Sequence, residues 1–100
     1  MAHFVQVFRA TVDPANVDRL LAVRPKAIAQ ARAACPVLVR AELARVDAQT
    51  WLDILVWSAP DGADQLMARA ADLPLVGEMH ALIGEVLAVD VAEVKDSTHL

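Results

Sequence analysis

Read with a period of two, the largely apolar run Thr50-Trp51-Leu52-Asp53-Ile54-Leu55-Val56-Trp57-Ser58, closed at each end by a hydroxyl residue, is a strand with two unlike faces. Leu52, Ile54 and Val56 form one aliphatic face. Trp51, Asp53, Leu55 and Trp57 form the other, with a carboxylate between two indoles. β-Branched and aromatic residues suit a pleated surface, and Ala59-Pro60-Asp61-Gly62 stops the run. A strand apolar on both faces has to be covered on both. Helices of the same chain can supply one cover. A second copy is expected to supply the other, over the mixed face that bears Phe4, Phe8, Trp51, Leu55 and Trp57.

The same alternation predicts a first strand over 3–12, with Phe4, Gln6, Phe8 and Ala10 on one side. Asp13-Pro14 then reads as a helix N-cap and first helical residue. Val17, Leu20, Leu21, Ile28 and Ala31 recur at helical spacing, and Pro25 predicts a kink or two consecutive helices near Arg24-Pro25. Val37 to Asp47 alternates again and joins the Trp51 strand through a short hairpin. With Asp47 paired to Thr50, Ala44 faces Asp53, Glu42 faces Leu55 and Arg40 faces Trp57, leaving Val39, Ala41 and Leu43 on the aliphatic side.

A second helical region starts at Asp61-Gly62 and breaks at Asp72-Leu73-Pro74. It resumes through Val76, Met79, His80 and Ile83, which should turn His80 toward the sheet, and Gly84 closes it as a C-terminal glycine. Glu85 to Val94 is the last strand. The order strand, helix, strand, strand, helix, strand predicts an α+β, ferredoxin-like βαββαβ fold with a four-stranded antiparallel sheet. Residues 1–94 make a single domain and 95–100 a frayed C-terminal tail.

Composition narrows the classes. A hydrophobic fraction of 57% in 100 residues exceeds what one small core can hold, which points to an oligomer interface. A net charge of −4 argues against nucleic acid and against an anionic membrane surface. The start has no basic stretch, and no apolar run approaches the roughly 18–20 residues of a spanning helix. A cytoplasmic protein is expected. One cysteine, Cys35, excludes an internal disulfide and reads as a small buried hydrophobe. His3, His80 and His99 have no metal-ligand spacing, so no metal site is expected. Gly62, Gly77 and Gly84 make no phosphate-binding loop.

Arg24-Pro25, Cys35-Pro36, Thr50-Trp51-Leu52-Asp53, Trp57-Ser58, the Leu73-Pro74 break and Met79-His80-Ala81-Leu82-Ile83 together resemble the antibiotic biosynthesis monooxygenase family. The resemblance spans about residues 3 to 94 and implies a dimeric α+β barrel. In that family two ferredoxin-like subunits set their sheets face to face, and each has a pocket between sheet and helices. Some members oxidise aromatic polyketides or quinols without a cofactor, and others break down haem. Haem-degrading relatives use an Asn late in the first strand, and a Trp and a His on the second helical region. Here Phe8 stands at the Asn position, that region has no Trp, and only His80 is placed like the His. Haem breakdown is not expected. Aromatic-oxidising relatives use Asn, Trp and Arg, often with Tyr. This chain has no Tyr, and its one Asn, Asn16, sits at a helix start.

Two functions follow. One is cofactor-independent oxidation of a hydrophobic aromatic or quinol-type molecule by a homodimer. His80 would then be the base, and Gln6, Phe8, Arg40, Asp53, Trp51 and Trp57 would hold the substrate. The alternative is a non-catalytic small-molecule-binding or accessory protein using the same pocket. In either, Asp53 needs a cation, and Arg40 on the adjacent strand is the expected partner.

Overall fold

The computed structural model describes residues 2–100. The chain runs as β1 (Phe4–Thr11), α1 (Val17–Ala34), β2 (Leu38–Arg45), β3 (Thr50–Trp57), α2 (Gly62–Arg69), α3 (Pro74–Ala81) and β4 (Val86–Glu93). A 3₁₀ turn, Pro14–Asn16, leads into α1, and another, Ala70–Asp72, separates α2 from α3. The sheet order is β2-β3-β1-β4, with every neighbour antiparallel. This is the ferredoxin-like α+β fold.

Local chemistry accounts for most of the boundaries. The Asp13 carboxylate accepts the Ala15 N–H at 2.9 Å, and Pro14 opens the turn into α1. Pro74 occupies the first turn of α3, where its missing N–H costs nothing. The next two N–H groups, of Leu75 and Val76, donate to the Gln30 side-chain oxygen at 2.9 and 3.3 Å, which fastens α3 to α1. Pro25 does not divide α1: one helix runs from Val17 to Ala34. Pro25 and Leu21, four residues earlier, are both exposed, so the carbonyl deprived of its donor lies on the watered side of the helix. Gly84 is not a left-handed cap either, since no glycine has positive φ. It is needed for close approach. Its N–H donates to the Thr11 carbonyl at 2.8 Å, and a Cβ there would lie 2.6 Å from Thr11 Oγ1.

The β2–β3 register differs by one residue from the expected pairing. Ala44 faces Leu52, Leu43 faces Asp53, Glu42 faces Ile54 and Arg40 faces Val56. The cause lies in the turn. Asp47 Oδ1 accepts the N–H groups of Gln49 and Thr50 at 3.0 and 2.8 Å, which draws Asp47 into the loop and closes the ladder at Val46 and Thr50 instead. A one-residue slip exchanges the two faces of β2. Ala41 and Leu43 therefore join the Trp51, Asp53, Leu55 and Trp57 side. Arg40 and Glu42 point to the opposite side, where they pair with each other at 2.8 Å in solvent. A bulge between Leu38 and Arg40 then brings Leu38 opposite Trp57 and buries it.

The faces of the sheet are also covered the other way round from expectation. The helices pack on the mixed face, and its residues form the core in two clusters. Trp57, Leu55, Leu38, Ala31 and Leu66 pack at one end; Trp51, Val12, Leu20, Ala27 and Met79 pack at the other. The aliphatic side chains of Val5, Val7, Leu52, Ile54 and Val56 lie on the face that carries no helix. Leu21, expected in the core, is 49% exposed, and Arg24 takes a buried place on the stripe of α1 with Leu20, Ala27 and Ala31. No helix among the described residues is long and apolar enough to cross a membrane.

Candidate functional site

A cavity of about 260 Å³ opens between the sheet and the helices, at the Trp57 end of the core. The sheet supplies Gln6, Phe8, Asp53, Leu55 and Trp57. α1 supplies Ile28 and Ala31, α2 supplies Leu66 and Met67, and α3 supplies Met79 and His80. The size is near the lower end of small-molecule sites, roughly 300–1,000 Å³, and so is the character: apolar walls with a few polar groups.

Why the wall looks like this follows from the strands. Phe8 pairs with Asp53 and Gln6 with Leu55 across β1 and β3, so the period-two pattern lays Gln6, Phe8, Asp53, Leu55 and Trp57 on one patch. Beyond Trp57 the chain turns into α2 at Gly62, and a Cβ on that glycine would lie 2.5 Å from the indole Cε3. Only glycine allows α2 to begin so close to the ring. The Trp57 indole donates to Gln6 Oε1 at 3.4 Å. An indole N–H can only donate, so the amide oxygen of Gln6 turns to it and the amide NH₂ is left for other partners.

The electrostatic centre is a buried ion pair absent from the expected set. Arg24 Nη2 donates to Asp53 Oδ1 at 2.8 Å and to the Glu42 carbonyl at 3.1 Å, and Nη1 reaches the Met79 sulfur at 3.7 Å. The two side chains are 8% and 10% exposed. Arg24, on α1, thus takes the role expected of Arg40, which the register turns to the other face. A guanidinium spreads its charge over a flat fork of donors and tolerates burial better than an ammonium, provided its donors are used.

Of the sequence-selected residues, Gln6, Phe8, Asp53, Trp57 and His80 come together around the cavity. Trp51 and Arg40 do not. Trp51 is sealed in the other half of the core, and its indole nitrogen is the one fully buried side-chain polar atom without a partner among the described residues. His80 lines the cavity but is an exposed residue, at the rim and not turned inward. The buried stripe of α3 runs through Leu73, Val76 and Met79, one step round the helix. Arg24 and Met79 were the residues missed. Arg24 was readable as an arginine at apolar spacing, four residues after Leu20 and seven before Ala31. Among the described residues, no group of three or more His, Cys, Asp or Glu side chains could hold a metal ion.

No family model matches this sequence, and no curated protein does. Solved structures do match. HapK from Hahella chejuensis superposes with a TM-score of 0.74 at 15% identity, over 100% of this chain and 98% of its own. A candidate antibiotic biosynthesis monooxygenase from Bordetella bronchiseptica gives 0.74 at 14% identity, over 98% of this chain and 100% of its own. SnoaB, a cofactor-independent oxygenase from Streptomyces nogalater, gives 0.58 at 23% identity, over 99% of this chain and 95% of its own. The chain shares the fold of these proteins along its whole length.

Proposed function

We propose that the protein is a cofactor-independent monooxygenase of the antibiotic biosynthesis type, acting as a homodimer on an aromatic or quinol-type small molecule. The observation that carries this reading is the apolar cavity between sheet and helices, walled by Phe8 and Trp57, where among the described residues only Gln6, Asp53 and His80 bear polar side chains apart from the Trp57 indole N–H. Full-length likeness in fold to SnoaB supports it.

In this reading the aromatic rings stack into the apolar wall and exclude water. His80 at the mouth accepts a proton from a phenol or an activated ring CH₂. The free Gln6 amide donates to the oxyanion that develops. The resulting carbanion or phenolate is electron-rich enough to reduce O₂ directly. One oxygen atom enters the ring carbon as a carbonyl, and the other leaves as water with the two hydrogens of the CH₂. The homodimer would bury the aliphatic face at Val5, Val7, Leu52 and Ile54, around the already buried Val56. An obligate interface of this kind covers more than about 2,000 Å² in total.

The exposure of His80 favours a second reading, a small-molecule-binding or accessory protein without catalysis. Oxygen uptake in air with anthrone, without added flavin or metal, separates the two. The oxidase reading expects turnover that His80→Phe lowers by roughly 10²–10⁴-fold, with the fold intact. Anthrone binding without oxygen consumption would establish the second reading and end the first.

A further inference from the structure

We infer that Asp53 is a ligand-binding acceptor that makes the cavity select a hydroxylated aromatic over the same ring as an ether or a carboxylate. This rests on the cavity being the ligand site, as proposed above, and not on the oxidation.

Asp53 sits in the middle of the sheet, 8% exposed, in the cavity wall directly across from Phe8. Its Oδ1 is taken by Arg24 Nη2 at 2.8 Å. Two further donors of Arg24 are directed to the Glu42 carbonyl and the Met79 sulfur. Among the described residues Oδ2 has no hydrogen-bond partner, yet it is not sealed: the only fully buried side-chain polar atom without a partner among them is Trp51 Nε1. Oδ2 therefore opens onto the cavity that Asp53 lines.

A carboxylate oxygen accepts and does not donate. Arg24, which does not line the cavity, holds Oδ1 and so leaves Oδ2 as the oxygen offered to a ligand. A hydroxyl entering the cavity supplies the missing donor, and the charge on the acceptor makes that hydrogen bond stronger than a neutral one. An O-methyl ether has no proton to give and leaves Oδ2 unpaired, the situation in which polar sites discriminate most sharply. A carboxylate ligand brings a second negative charge against the first. Gln6 starts from a diagonal position two residues along, about 7–8 Å away in an antiparallel pair, so a fused ring can span from Asp53 to its amide.

The test uses 1-naphthol, 1-methoxynaphthalene and 1-naphthoate as probes, with dissociation constants from equilibrium dialysis against the full chain. Wild type should bind naphthol about tenfold or more tighter than the ether, with no detectable binding of naphthoate. In Asp53→Asn, Arg24 keeps the side-chain oxygen, so an NH₂ replaces Oδ2, and the naphthol preference should disappear or reverse. If circular dichroism shows that variant unfolded, the wild-type ratio decides alone. Equal binding of naphthol and ether by wild type, binding of neither probe up to its solubility, or an unchanged ratio in folded Asp53→Asn would each overturn the inference. Hydroxyl selection without oxygen uptake from anthrone would leave it standing while the oxidase reading fell. Oxygen uptake without hydroxyl selection would do the reverse.

Discussion

The two faces of the sheet differ in kind. On the helix-covered face, β1 and β3 present Gln6, Phe8, Trp51, Asp53, Leu55 and Trp57, a mixture of rings, an amide and a carboxylate. On the other, the same two strands present Val5, Val7, Leu52, Ile54 and Val56, with Arg9, Arg40 and Glu42 exposed around them. Asp53 and Gln6 on the covered face have fixed partners, Arg24 and Trp57, whereas the Trp51 indole N–H has none among the described residues. On the aliphatic face the one ion pair among the described residues, Arg40 with Glu42, lies in solvent. Burial of fixed polar groups defines a site that recognises one chemistry, whereas a uniform apolar surface serves association, which needs area and shape more than direction.

The strongest way to break the contrast is at its charged centre. Asp53→Ala leaves the Arg24 guanidinium buried without a counter-ion and should cost about 3–5 kcal/mol in urea unfolding. Changing Arg24 and Asp53 together to leucine should recover much of that. Additive losses across the double-mutant cycle would show that the two do not interact. Next comes Gly62→Ala, which drives a methyl to within 2.5 Å of the Trp57 ring. About 1–3 kcal/mol of destabilisation is expected, with weaker binding of naphthol because α2 is pushed from its place. Calorimetric melting measures the first effect, and dialysis the second. On the opposite face, Ile54→Lys should leave the fold intact and shift sedimentation at micromolar concentration from dimer to monomer. A wild-type monomer under those conditions would refute association through this face.

The smallest effect concerns the hairpin that decides which face each β2 residue joins. The backbone N–H groups of Gln49 and then Thr50 hold the exposed Asp47 carboxyl below its ordinary value of 3.8. Because the folded-state value is the lower one, the stabilisation is present above the unfolded value and is lost as pH falls through the folded one. The stability difference between wild type and Asp47→Ala should therefore be constant from neutral pH down to about pH 5. It should shrink below the ordinary carboxyl range, as urea midpoints across that range would show.

Much of the architecture was legible because period-two alternation survives in every strand, and Pro14 and Pro74 mark helix starts by a mechanism local to them. What alternation cannot reveal is register. Both candidate pairings of β2 place an aliphatic row opposite β3, and the choice lies in two hydrogen bonds to one Asp47 oxygen. That single step moved Arg40 out of the site and brought Ala41 and Leu43 onto the helix-covered face in its place. Arg24 was hidden by the convention that an arginine on a helix faces water, although its spacing from Leu20 and Ala31 already put it on the apolar stripe. His80 shows the finer limit. Val76 and Ile83 bracket it at helical spacing, but Met79, its neighbour, points into the core, and one residue is a rotation of about 100°.

The break at Leu73-Pro74 has a consequence in time. α3 packs broadly along α1 and is fastened to it by Gln30, whereas α2 touches α1 only slightly. The two halves of the cavity roof are therefore held with unequal strength, and local opening follows the weaker. Backbone amides of 62–69 should exchange with deuterium sooner than those of 74–81. Leu66 and Met67 would then be the part of the cavity wall that moves first.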